Sequence, residues 1–88
     1  MIGRREILLH VLVARGRRSV ALCNIERASA DLREALDLAM RGGYRIIEIE
    51  ARLGFAALYR QRNEMEDSSR EMRMATTLAA EIGYHWVN

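Results

Sequence analysis

The sequence predicts an all-α chain of four helices, arranged as two antiparallel hairpins. Three observations carry this. The 88 residues contain no proline, so nothing forces a break in a helix. Strong helix formers (Ala, Leu, Arg, Glu and Met) make up most of the chain. Finally, a shift of 40 residues lays the chain on itself. Gly43-Tyr44 falls on Gly83-Tyr84, Ala35 on Ala75, Leu38 on Leu78 and Ala39 on Ala79. Leu32 falls on Met72, Arg33 on Arg73, Asp31 on Glu71 and Ile7 on Ile47. The matches concentrate at apolar and glycine positions, which a stacked repeat needs in order to bury one unit against the next. One domain is expected over 1–88, with a first unit at about 4–43 and a second at about 44–83. Residues 84–88 read as the start of a third.

The first helix is expected from about Arg4 to Leu22, carrying the apolar stretch Ile7–Ala14. A second begins behind Asn24, a good N-cap, and turns Ile25, Ala28, Leu32, Ala35, Leu36 and Ala39 inward. Gly42 or Gly43 closes it, glycine being suited to the left-handed conformation past a helix end. The third starts after this pair with Ile46, Ile49, Leu53, Ala56 and Ala57 as an apolar stripe. Asn63 reads as the cap of the fourth, with Glu66 completing a capping box. That helix carries Met65, Met72, Ala75, Leu78, Ala79 and Ile82 and ends at Gly83. Each helix of about 17 residues would span about 25 Å.

These residues resemble tetratricopeptide repeats of a longer, 40-residue variety. In the second unit Phe55-Ala56, Tyr59, Ser68, Met72 and Ala75 follow the family order of large, small and aromatic positions. In the first unit Gly16, Ala28, Leu32 and Ala35 follow it, whereas Arg15 and Ser19 replace a large apolar residue and an aromatic. The closing proline of the family is absent, and Gly-Tyr stands there instead. The resemblance implies an α-solenoid fragment. The arginine- and alanine-rich units with Gly-Tyr turns are also similar to repeats in C-terminal parts of bacterial signalling ATPases and their associated transcription regulators. That implies a scaffold or sensor segment from a larger protein, without nucleotide chemistry.

Catalysis is not expected. All 14 basic residues are arginine, so Schiff-base and P-loop lysine chemistry are excluded. His10, His85 and Cys23 have no zinc-ligand spacing, and no metal or other cofactor is expected. Glu48 and Glu50 are two apart and cannot face each other on a helix. Glu64, Glu66 and Asp67 crowd a helix start, where the macrodipole favours them. Ser19, Ser29, Ser68 and Ser69 lack a histidine base nearby in sequence. The lone cysteine rules out an internal disulfide and fits a reducing cytoplasm. The apolar stretch near the N-terminus is too short to span a membrane and lacks a signal-peptide cleavage site.

What remains is interaction. Ile7-Leu8-Leu9 and Val11-Leu12-Val13 make the first helix apolar on nearly all sides, and such a helix calls for burial on all sides. Two hairpins can cover only part of it. Either an upstream repeat or another copy of the chain is expected to cover the rest, and a protein partner giving a homodimer or higher homo-oligomer is the favoured expectation. Leu8, Leu9, Leu12 and Val13 form the expected interface, with Arg15, Arg17 and Arg18 at its rim and Trp86 as an aromatic anchor beside Tyr44, Tyr59 and Tyr84. Met40, Met65, Met72 and Met74 could line an adaptable groove or fill core. The alternative is a small nucleic-acid-binding helical protein using Arg15, Arg17 and Arg18 with Arg4 and Arg5. The helices are long for a helix-turn-helix reader, and the net charge is only +2, so nucleic acid ranks second.

Overall fold

The computed structural model describes residues 4–83. They form four helices: α1 (Arg4–Ala21), α2 (Ile25–Gly42), α3 (Arg45–Gln61) and α4 (Met65–Ile82). No strand occurs among the described residues. The all-α expectation holds, and the 40-residue register appears in the backbone, since α2 and α4 begin and end 40 residues apart. None of the four is long and apolar enough to cross a membrane.

The turns explain the register. Cys23, Gly43, Asn63 and Gly83 all adopt positive φ, at 59°, 74°, 60° and 70°. The amide after each of the first three reaches back five residues: Asn24 to the Ser19 carbonyl, Tyr44 to Ala39 and Glu64 to Tyr59, at 2.8, 2.9 and 2.9 Å. This left-handed residue with its back-reaching bond satisfies the orphan carbonyls at a helix end. Connections this short make sequence neighbours pack as helical hairpins. At the second turn the Tyr44 ring lies directly against Gly42, where a Cβ would collide with it.

Capping differs from expectation at one turn. Asn24 caps α2, its Oδ1 accepting from the Arg27 amide at 3.3 Å. Asn63 does not cap α4. It takes the left-handed position past α3, and Glu64 stands at the N-cap without a side-chain cap bond. Asparagine serves both places, because its short polar side chain tolerates left-handed backbone.

Helix α3 is the hub. It packs on α1, α2 and α4, whereas the backbone of α4 approaches neither α1 nor α2 among the described residues. One core cluster joins Leu9, Leu12 and Val13 of α1 to Ala35 and Ala39 of α2 and Ile47 and Ala51 of α3. A second joins Val20, Ala28, Leu32, Phe55 and Leu58. A third, between α3 and α4, holds Ile49, Ala75, Leu78 and Ala79. Because α3 has three neighbours, its buried residues run well beyond the expected stripe. Ile47, Ala51, Arg52, Gly54, Phe55 and Leu58 are buried in addition to Ile49 and Ala56, while Ile46 and Ala57 stay exposed.

One side chain locks the three helices. Leu32 of α2 is fully buried between Gly16 of α1 and Gly54 of α3. A Cβ on either glycine would lie 2.8 Å from the Leu32 side chain. The absent methyl groups are what permit the close approach.

Candidate interaction surface

The apolar run of α1 divides into two faces. Leu9, Leu12 and Val13 point into the chain's own core. This corrects their expected place in an interface: they are already covered by α2 and α3 and not available to a partner. Leu8 and Val11 point outward, each 50% exposed. Ala14, also exposed, continues their side of the helix.

The repeat register gives that outward face a meaning. Val11 and Ala14 are matched, 40 residues on, by Ala51 and Gly54. Both of these are buried, Ala51 among Ala35 and Ala39 of α2 and Gly54 against Leu32 of α2. The side of α1 that is open is thus the side on which α3 receives a packed helix.

The arginines separate in the same way. Arg15 donates to Asp31 of α2 twice, Nε to Oδ2 at 3.0 Å and Nη2 to Oδ1 at 3.2 Å. The hydrogen bonds and then the charge of Asp31 raise the Arg15 pKa above its ordinary value. Arg15 is therefore a clasp inside the first hairpin, which lowers its value at a partner rim. Arg17 and Arg18 are exposed. Trp86, Tyr84 and His85, with the start of a third unit at 84–88, lie outside the described residues, as do the side chains of Arg4, Arg5 and Ile7.

A second clasp was not visible in the sequence. Arg52 of α3, only 7% exposed, donates from Nε to Glu48 at 3.2 Å and from Nη1 to Glu71 of α4 at 3.0 Å. Glu71 is the repeat partner of Asp31, so both hairpins are tied by an arginine from the first helix to the same acidic position of the second. Burial of an arginine is tolerable when such partners are present. Near the other end, Gln61 donates to the Val20 carbonyl at 2.6 Å and links α3 to the end of α1. Ser68 donates to the buried Ala56 carbonyl at 2.8 Å.

Among the described residues the groups with reactive potential do not converge. His10 is exposed at the edge of an open groove of about 440 Å3 that Tyr44, Ile46, Ile47 and Ile82 also line. Cys23 is exposed in a turn. Glu48 serves Arg52, and Asp67 serves Arg70 at 2.6 Å. Among the described residues no group of three His, Cys, Asp or Glu side chains could hold a metal ion. No protein-family model, curated protein or solved structure gives a significant match to this chain. Function is therefore read from geometry.

Proposed function

We propose that the chain is a non-catalytic protein-interaction and oligomerisation module, built on two tetratricopeptide-like units, whose docking face is the open side of α1. One observation carries this: Val11 and Ala14 stand exposed in the register that α3 uses to receive α2, with Leu8 exposed beside them. A partner helix would pack across Val11 and Ala14 at a wider spacing than Leu32 on Gly54, because Ala14 carries the methyl group that Gly54 lacks. Arg18 at the far end of this face would set register through a carboxylate, since arginine forms forked contacts with such groups. The same reading makes the chain a segment of a larger bacterial regulatory protein. A reducing cytoplasm suits its single exposed thiol, Cys23. Nucleic-acid binding ranks second because Asp31 already neutralises Arg15.

The test is solution mass. At micromolar concentration the chain is expected to self-associate by light scattering, and Leu8→Glu with Val11→Glu is expected to yield monomer with unchanged helical circular dichroism. Monomer in both proteins would overturn self-association. A salt-sensitive mobility shift with duplex DNA that is lost on Arg17→Glu with Arg18→Glu would favour nucleic acid instead.

A further inference from the structure

We propose that Met40 and Met74 form a paired oxidation site whose sulfoxides Arg52 binds, tying α2 and α4 to α3. Arg52 sits on the central helix between two helices whose backbones do not approach each other among the described residues. Two of its nitrogens are engaged by Glu48 and Glu71. The guanidinium also lies against one sulfur from each flanking helix, with Nη1 3.6 Å from Met74 Sδ and Nη2 4.0 Å from Met40 Sδ. A thioether is a weak acceptor. Its sulfoxide is polar and carries an oxygen, a far better acceptor for the N–H donors. Hydrogen bonds from a cation are about twice as strong as neutral ones, so oxidation exchanges two feeble contacts for two strong ones.

Both side chains reach solvent, Met40 being 55% exposed and Met74 43%, so a dissolved peroxide can approach them. In the reaction a sulfur lone pair attacks one peroxide oxygen, the S–O bond forms and the O–O bond breaks. The departing hydroxide takes up the proton left on the transferred oxygen and leaves as water. Each sulfur gives two electrons and the peroxide accepts two. Methionine oxidation ordinarily loosens a fold; here the guanidinium reverses its sign. Met65 and Met72 supply an internal control. They are exposed to a similar degree, 54% and 39%, and among the described residues no donor reaches either sulfur.

The experiment treats two full-length double variants, Met65→Leu/Met72→Leu and Met40→Leu/Met74→Leu, with hydrogen peroxide. Peptide mass spectrometry verifies the sulfoxides, and circular dichroism follows urea unfolding. The protein that keeps Met40 and Met74 is expected to show a raised urea midpoint after oxidation, and the other is not. A midpoint that is unchanged or lowered in the first protein, or raised in both, overturns the proposal. Adding Arg52→Lys to the first is expected to abolish the rise, and a rise that survives it removes Arg52 as the reader. Should Arg52→Lys fail to fold, the comparison between the two methionine pairs decides alone.

Discussion

At Leu32 the approach of three helices depends on two missing methyl groups, on Gly16 and Gly54. Alanine would improve helix propensity by about 1 kcal/mol at either site. Its Cβ would also overpack a site that has no free space, which costs about 1–3 kcal/mol. Overpacking outweighs propensity on balance, so Gly54→Ala is expected to lower the urea midpoint; an equal or higher midpoint would mean that Leu32 can move aside. Arg52 gives a second case. Arg52→Ala leaves Glu48 and Glu71 half-buried without their cation, a loss of about 3–5 kcal/mol for a buried pair, and thermal unfolding should show a large drop. The two residues were unequally legible. Gly16 was recognisable as a small position because the family order asks for one there. Gly54 was masked by its neighbour Ala56, and Arg52 was hidden because charged side chains are rarely buried without partners that only folding brings together.

At the scale of the element, the four left-handed turn residues are spaced 20 apart in sequence and alternate in chemistry, two glycines and two residues with side chains. A side chain in that conformation costs about 1–2 kcal/mol, and asparagine bears it better than most. Cys23→Gly is therefore expected to stabilise the chain by several tenths of a kcal/mol to about 1 kcal/mol, since glycine gives back some of the gain as unfolded-state entropy. Asn63→Gly should gain less, and Gly43→Ala should lose about 1 kcal/mol. Chemical denaturation of the three variants ranks them, and an ordering with Gly43→Ala above the parent would contradict the turn geometry. Helix number and limits were legible because the glycines, Asn24 and the apolar spacing agree. The cap at Asn63 was misplaced because asparagine suits the end of one helix as well as the start of the next. The apolar spacing of α3 predicts a single buried stripe, whereas α3 has three neighbours and buries residues on more than one face.

For the molecule as a whole, the division of the α1 run sets which residues the proposed docking face can use. The sequence pattern showed an over-apolar first helix, but it could not say which residues the chain covers itself. That depended on Ala35, Ala39, Ile47 and Ala51 taking Leu9, Leu12 and Val13 into the core. Leu8, Val11 and Ala14 are left facing outward. On the proposed function, this outward face is where another chain docks. Its most direct test is thiol accessibility in a Cys23→Ser background with a single cysteine in place of Val11. If the face is used, the rate of reaction with a thiol reagent falls as protein concentration rises, and Leu8→Glu restores the dilute rate. A rate that stays the same from dilute to concentrated solution would mean that no second chain docks on this face.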